Sequence, residues 1–358
     1  MKRFVRDDSL WVKLQKETRP IFLYGTGNGA DKILDVCIRF NIPVEGVFAS
    51  SDFVRNRTFR DMPVQSLAAI EEKYGDDFVV LLAFGTTLLS VAENIKKVAE
   101  KHTLYIPEVP LYGKDLFTYE YYLENLEKIE AAYELFSDER SKSVYEDMIG
   151  FRLSGEPKLL MNAEPMAVSY AEMFDGVNVE CAVDCGAYKG DSTEMMAEVL
   201  APRKIYAAEP DPKTFLKLSA YAENEERSMV IPVNAAIGKE CAQVEFMSSA
   251  SRGSGKEGLS KSAKCTTVDV RTVDSIVKDE KIDLIKLDVE GDEAEAIAGC
   301  LETIKSCSPS MAVSVYHRTG DIFELPILLH ELLPTHKMYL RREECIPAWD
   351  ITLFLVKK

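Results

Sequence analysis

Cysteine pairs at metal-binding spacing are missing from this sequence. Its eight cysteines include no CxxC, and its four histidines are too scattered to complete a zinc pattern. The nearest pair, Cys181 and Cys185, falls on one short predicted strand, so the thiols read as buried, inert groups in a reducing compartment. Long apolar runs are missing as well. The N-terminus, MKRFVRDDSLW, has no h-region, and no stretch reaches membrane-spanning length, which predicts a soluble cytoplasmic protein without a membrane partner. Positive charge is scarce: 43 Lys plus Arg stand against 59 Asp plus Glu, for a formal charge of −16, and no basic run exceeds two residues. That argues against nucleic-acid backbone as a partner and for a neutral or cationic small molecule.

What is present suffices for two folded domains: 358 residues, 46% of them hydrophobic. In residues 20–107 strands and helices alternate. Strands are expected at Ile21–Tyr24, Val44–Ala49 and Val79–Phe84, and helices at Asp31–Phe40, Val64–Tyr74 (entered near Ser66) and Leu88–Lys101. That alternation implies a parallel sheet with helices on its faces. Residues 110–169 break the pattern: Tyr119–Phe136 and Lys142–Leu153, the latter after the capping candidate Ser137, have helical spacing and read as a connector. Alternation resumes at Val179, with strands expected at Glu180–Asp184, Lys204–Ala208, Val230–Asn234, Asp283–Leu287, Met311–Tyr316, Met338–Arg341 and Ile351–Val356. Helices are expected near Thr193–Leu200, Lys213–Glu223, Val273–Val277, Glu293–Ile304 and Ile322–Leu333. The last two strands have no helical pattern between them and suggest an antiparallel hairpin closing one sheet edge. The Ser-, Gly- and Lys-rich stretch Ser248–Lys264 reads as a mobile loop between two strands, either a solvated hairpin loop or a substrate lid. The expected organisation is therefore a domain at 1–109, a helical connector at 110–169 and a second domain at 170–358.

Three acidic strand ends in the second domain carry the chemistry. The run Val183-Asp184-Cys185-Gly186-Ala187-Tyr188-Lys189-Gly190-Asp191-Ser192 takes a strand through a glycine turn into a helix start. Glycines there let backbone approach a ligand, and the helix N-terminus offers free N–H donors, although a plain strand-to-helix connection would use the same residues. The next strand ends in Glu209-Pro210-Asp211, with Glu209 lying 23 residues beyond Gly186. An acid at about 20 residues past such a turn accepts hydrogen bonds from ribose hydroxyls, though it could also simply cap a helix. Asn234 and Ala235 follow the third strand, where an adenine edge would lie. The fourth strand delivers Asp288 and Glu290 in Lys286-Leu287-Asp288-Val289-Glu290-Gly291-Asp292-Glu293; a surface turn capping the helix at Glu293 is the plainer reading.

With these segments in this order — VDCGAYKGDST, AEPDP, VNAAIG, IDLIKLDVEGDE and SVYHR — the C-terminal half resembles the FkbM-type methyltransferases over roughly residues 170–356. The resemblance implies a seven-stranded class I methyltransferase fold, a Rossmann-like sheet that binds S-adenosylmethionine and transfers its methyl group to a hydroxyl, often of a sugar or other metabolite. On matching positions Asp184, Gly186, Ala187, Gly190, Asp191 and Ser192 would border the methionine end, Glu209 and Pro210 the ribose, and Asn234 and Ala235 the adenine. Asp288 and Glu290 would face the methyl group and the acceptor.

Methyl transfer from a sulfonium is an in-line displacement, so the enzyme's first task is alignment and its second is removal of the alcohol proton. His317, at the end of the fifth strand, or Asp288 is the candidate base; His317 could equally be a hydrogen-bonded structural residue. Lys286 could orient Asp288 or Glu290, or sit in a buried salt bridge. Asp288, Glu290 and His317 have ligand chemistry for a divalent metal, but no metal is assigned.

The first domain carries Gly25-Thr26-Gly27-Asn28-Gly29-Ala30 between a strand and a helix, a G-x-G-x-x-A turn. Its second strand ends Ala49-Ser50-Ser51-Asp52, so the expected acid misses the strand tip. With GVFASSD, MPVQSL and LLAFGT, this half resembles the small Rossmann-like domains beside sugar-modifying enzymes. A nucleotide or nucleotide-sugar holder, a structural or dimerising domain and a working NAD site all stay open. The leading expectation for the whole chain is an S-adenosylmethionine-dependent O-methyltransferase acting on a carbohydrate or similar hydroxylated metabolite. The alternatives are a non-catalytic nucleotide or nucleotide-sugar binding scaffold and a dehydrogenase-like oxidoreductase. The last lacks a catalytic Tyr-x-x-x-Lys.

Overall fold

The computed structural model describes residues 9–50, 57–248 and 264–357. Two sheets organise it. The first contains β1 (Ile21–Tyr24), β2 (Gly46–Ala49), β3 (Thr58–Phe59), β4 (Met62–Ser66), β5 (Val79–Leu82) and β6 (Thr103–Tyr105), in the order β3-β4-β2-β1-β5-β6. All pairings are parallel except the short β3–β4 turn-back. β1, β2 and β5 are buried along their whole length, as strands covered on both faces must be.

The second sheet contains β7 (Cys181–Cys185), β8 (Lys204–Ala208) and β9 (Met229–Val233) on one side. Three further strands, β10 (Ala236–Ile237), β11 (Ala242–Ser248) and β12 (Lys264–Arg271), form a small sheet of their own. The chain then returns through β13 (Leu284–Leu287), β14 (Ser310–Ser314), β15 (Lys337–Arg342) and β16 (Ile351–Val356). The seven-stranded order is β15-β16-β14-β13-β7-β8-β9. Five strands run parallel, and the β15–β16 hairpin is antiparallel at one edge, as its lack of a helical crossover predicted. β7 and β13 lie side by side at the point where the chain's winding direction reverses, so a crevice opens above their carboxyl ends.

Helices 119–124, 126–135 and 139–154 cover the second sheet: the last packs on β15 and the middle one on helix 321–332. One apolar core runs from Phe22 and Val80 in the first sheet through Tyr145 and Ile149 to Val183 and Leu340 in the second. Each such buried side chain contributes about 1.5–3 kcal/mol. The two halves also join through backbone: Thr86 N–H donates to the Ile346 carbonyl (2.7 Å) and Ile346 N–H to that of Thr86 (3.0 Å).

Several elements differ from the sequence expectation for identifiable reasons. Val64–Ser66 is strand, not helix; Ser66 caps the helix 67–74 by accepting from Ala69 N–H. Ser137 is not a helix cap: it is tied to Met338 of β15, and Asp138 caps instead, accepting from Ser141 N–H. The single helix expected at Glu293–Ile304 is two, 293–298 and 301–307. Gly299 abuts the Gly238 backbone there, and the Asp274 carboxylate takes the Glu302 and Thr303 N–H groups to start the second helix. The loop expected to be mobile between β11 and β12, and Ser51-Asp52 after β2, lie outside the described residues.

Candidate active site

A cavity of about 690 Å³ opens above the carboxyl ends of β7, β8, β13 and β14. Its floor is built by backbone contact. Gly186 has φ +83°, and a side chain there would overlap the Asp288 carbonyl, so β7 and β13 can approach this closely only with glycine at that position. Asp184 is fully buried beneath the turn. It accepts from the hydroxyls of Ser192 and Thr193 (both 2.7 Å) and pairs with Lys286 Nζ at 3.0 Å. Lys286 also donates to the Gly186 carbonyl (3.1 Å) and to Ser192 Oγ (3.2 Å) and lies 3.8 Å from Asp288. Burial would depress this ammonium, but Asp184 and Asp288 raise it, so it stays charged. Both sequence readings of Lys286 therefore meet in one residue: its salt bridge is buried, and it links Asp184 to Asp288.

Of the residues singled out from sequence, Gly186, Ala187, Asp191, Ser192, Glu209, Pro210, Ala235, Asp288, Glu290 and His317 line the cavity. Asp184, Gly190 and Asn234 stand behind it. Gly190, at φ +104°, starts the helix 191–199 with Tyr221 packed on it. Asn234 donates to the carbonyls of Glu209 (2.8 Å) and Pro210 (3.3 Å), fixing the end of β8. The Glu209 carboxyl accepts from Tyr188 N–H (3.1 Å) and Asp211 N–H (2.8 Å). Burial pushes it up to about 7 despite these donors.

Over β13 and β14 the carboxylates gather round His317. Its Nδ1 donates to Glu293 Oε1 at 2.8 Å, both side chains being buried. Its Nε2 lies 3.6 Å from both Asp288 Oδ1 and Glu290 Oε2. Burial alone would lower the imidazole; Glu293, Asp288 and Glu290 overturn that and lift it to about 10, so at neutral pH it is a cation. Asp288, Glu293 and His317 are close enough to suggest a metal set. Their carboxylates, however, flank opposite ring nitrogens, as in a hydrogen-bonded imidazolium, whereas one ion would take one nitrogen.

Two residues of this cluster escaped the sequence reading. Glu293 looked like a helix start; positive φ at Glu290 (+57°) and Gly291 (+93°) folds the chain back so that its carboxylate also accepts from Val289 N–H (2.9 Å). A glycine straight after Glu290 was the available signal for that tight return. Tyr112 comes from the segment joining the halves and had no local signal. Its hydroxyl donates to Glu290 (2.8 Å), its N–H donates to the His317 carbonyl (3.2 Å), and Lys32 holds the neighbouring carbonyls of Pro110 and Leu111 at 2.7 and 2.8 Å.

Residues 184–343 match the family model described as Methyltransferase FkbM domain. The structure is similar to that of methyltransferase FkbM from Methylobacillus flagellatus KT, with 18% identity and a TM-score of 0.69 over 97% of this chain and 92% of that one. Similarity is lower to an rRNA methylase from Streptococcus thermophilus (14% identity, TM-score 0.33, 55% of this chain and 98% of that one). It is lower also to Aeropyrum pernix fibrillarin with S-adenosyl-L-methionine natively bound (12%, 0.31, 50% and 66%). No curated protein matches the chain in sequence. Among the described residues no helix is long and apolar enough to cross a membrane.

Proposed function

We propose that the C-terminal half, whose residues 184–343 match the FkbM methyltransferase model, is an S-adenosylmethionine-dependent methyltransferase that methylates a hydroxyl oxygen of a sugar or similar hydroxylated metabolite. The observation that carries the reading is the convergence of the glycine turn at 186–192 and the acidic strand ends at 209 and 288–290 on one cavity. The residues present fit an adenosyl sulfonium. Gly186 and Ala187 line the cavity without bulky side chains, and Glu209 is a cavity-lining carboxyl suited to a ribose diol.

In this reading Gly186, Ala187, Asp191 and Ser192 border the amino-acid end of the cofactor. Asp184 and Gly190 shape the turn from behind it. Glu209 and Pro210 meet the ribose, Ala235 the adenine, and Asn234 keeps Glu209 in place. When bound, the sulfonium supplies an electrophilic methyl carbon with a neutral thioether as leaving group. The hydroxyl proton passes to a carboxylate. The imidazolium state of His317 supports Asp288 as proton acceptor, with His317 as the fixed cation that holds the Asp288 and Glu290 carboxyls in place. We further read residues 1–109 and 170–358 as two Rossmann-like units joined by 110–169, with the joint contributing Tyr112 to the site.

Calorimetry with S-adenosylmethionine tests the reading: micromolar binding by the wild type and a loss of about tenfold or more in Glu209→Ala are expected. Absence of binding to the intact chain would reject it.

A further inference from the structure

The cavity extends to both sides of Asp288. On the β7–β9 side lie Glu209 and Ala235, which the proposed function gives to the cofactor. On the other side β14 and β16 form the floor, and these strands have no role so far. Register fixes which of their side chains face the cavity. Val313 pairs with Leu287, so Ser314 lies one strand across from Asp288. Because β16 runs antiparallel, its start meets the end of β14, and Thr352 is the direct partner of Ser314. The row Asp288, Ser314, Thr352 therefore crosses three neighbouring strand ends, a span of about 10 Å. Ala312 and Phe354 pair with each other two residues deeper on the same face. Tyr170, from the helix 166–173, packs edge-on against the Phe354 ring at 5.2 Å, so its phenol covers the face that bears Ser314 and Thr352.

Several hydroxyls round the cavity are committed within the protein. Ser192 and Thr193 give theirs to Asp184, Tyr112 to Glu290, and Tyr316 to Asp350. Tyr170, Ser314 and Thr352 differ. They line the cavity and are only 2%, 7% and 8% exposed, yet none of their hydroxyls bonds to another described residue. Nor are these oxygens sealed inside the protein; they open onto the cavity. Hydroxyls buried so deeply lose hydration without compensation unless a ligand supplies the bond. Burial, with the charges of Asp184 and Asp288, pushes the Tyr170 phenol well above its ordinary range, so it remains a neutral O–H. Each of the three groups can donate and accept, as sugar hydroxyls do, and Ala312 and Met166 add apolar surface for ring carbons.

We propose that Tyr170, Ser314 and Thr352 are the specificity-determining residues for the methyl acceptor: they hold non-reacting hydroxyls of a sugar ring so that its reacting hydroxyl lies at Asp288. The proposal rests on the methyltransferase reading and gives that site its acceptor end. Cofactor and acceptor then occupy opposite sides of β13, with Asp288 between them.

The test is calorimetric, on the full chain saturated with S-adenosylhomocysteine, with methyl glucoside, methyl galactoside and methyl mannoside as probes. At least one is expected to bind. Its affinity should fall about tenfold or more in the Ser314→Ala/Thr352→Val double variant and about threefold or more in Tyr170→Phe. Thr352→Ser, which keeps the hydroxyl, should stay within about threefold of the wild type. S-adenosylhomocysteine affinity should stay within about twofold in all of them. Tyr170→Phe keeps the ring on Phe354 and carries the test if the double variant does not fold. Failure of all the glycosides to bind the loaded chain overturns the proposal, as does glycoside affinity unchanged in the variants that lose a hydroxyl. A loss of about tenfold in S-adenosylhomocysteine affinity in Tyr170→Phe or the folded double variant assigns the hydroxyls to the cofactor and overturns it too. A wild-type chain that does not bind S-adenosylhomocysteine removes the underlying methyltransferase reading instead.

Discussion

Each half of this chain carries a glycine turn between a buried strand and a helix, and the two turns are built alike. In the first, Gly29 sits against the Ala83 carbonyl at the end of β5; in the second, Gly186 sits against the Asp288 carbonyl at the end of β13. What surrounds them differs. The Phe84 ring lies on Gly25 and stacks edge-on with Tyr24, which in turn stacks on Phe48, so aromatic carbon crowds the first turn. The second turn opens onto a cavity ringed by Glu209, Asp288 and Glu290. The glycines thus report that two pieces of backbone come close. Whether a ligand sits there is decided by the polar groups at neighbouring strand tips.

The comparison is broken most severely at Gly186. Gly186→Ala forces a side chain into a left-handed backbone position and into the Asp288 carbonyl, with no flexible atom to yield. The expected cost is on the order of 3 kcal/mol of stability, with S-adenosylmethionine affinity reduced at least about a hundredfold. Denaturant unfolding and calorimetry read the two separately. A variant that unfolds normally and binds normally would show that β7 and β13 can separate here, contrary to the floor described above.

Next is the Glu293–His317 pair, comparable in stability but without the loss of cofactor affinity expected at Gly186. Removing one partner of a buried pair leaves the other uncompensated, and Glu293→Gln should cost about 3–5 kcal/mol. The sign follows from the raised imidazole. His317 is lifted from about 6.5 to about 10, so its contribution to stability is complete below pH 6.5 and is lost as pH rises through 10. In Glu293→Gln that loss should begin at lower pH, visible by NMR titration of the four histidines. The same titration separates the two candidate bases. With Asp288 as proton acceptor, turnover at saturating cofactor is flat between pH 7 and 9; a rate climbing about tenfold per pH unit toward 10 would return the role to His317.

The floor of this cavity and the end proposed for the cofactor were legible from sequence because each is local. An apolar strand ending in an acid, a glycine turn and a helix start are neighbours in the chain, and the acids at 209 and 288 follow their own strands in the same way. What was not legible arrives from far away. Tyr112 reaches Glu290 across 178 residues, and Trp349 meets Gly85 through a pairing of edge segments that no periodicity encodes. Asp184 shows a different limit. The acid at a strand end looked like a ligand contact, but it is spent on Ser192, Thr193 and Lys286, because a charge enclosed by backbone must be neutralised from within.

A more moderate effect is expected at Glu209, whose counterpart beyond the end of β2 lies outside the described residues. Burial holds its carboxyl near 7, and ribose hydroxyls bond best to the ionised form. Ligand binding should therefore favour deprotonation, and S-adenosylhomocysteine affinity should rise by severalfold from pH 6 to pH 8. In Glu209→Gln the pH dependence should flatten, with binding weaker throughout. A slope unchanged in the variant would assign the dependence to another group.

The smallest effect is expected at Gly27, and it sharpens the comparison most. This glycine has ordinary extended backbone, φ −95°, and a side chain there would meet nothing within 4 Å. It occupies the cap position of the helix 28–39, where no side chain supplies a capping bond. Gly27→Ser should thus leave stability within about 0.5 kcal/mol, or raise it slightly by adding a capping hydroxyl. In a working dinucleotide turn the second glycine is the point of closest approach to the pyrophosphate, so the same substitution would block NAD or UDP-sugar binding. Thermal shift of wild type and variant with each of these ligands decides between the two. A shift present in the wild type and lost in Gly27→Ser would give the first turn a ligand and end the contrast drawn here; no shift in either leaves it a packing element whose glycines serve Ala83 and Phe84.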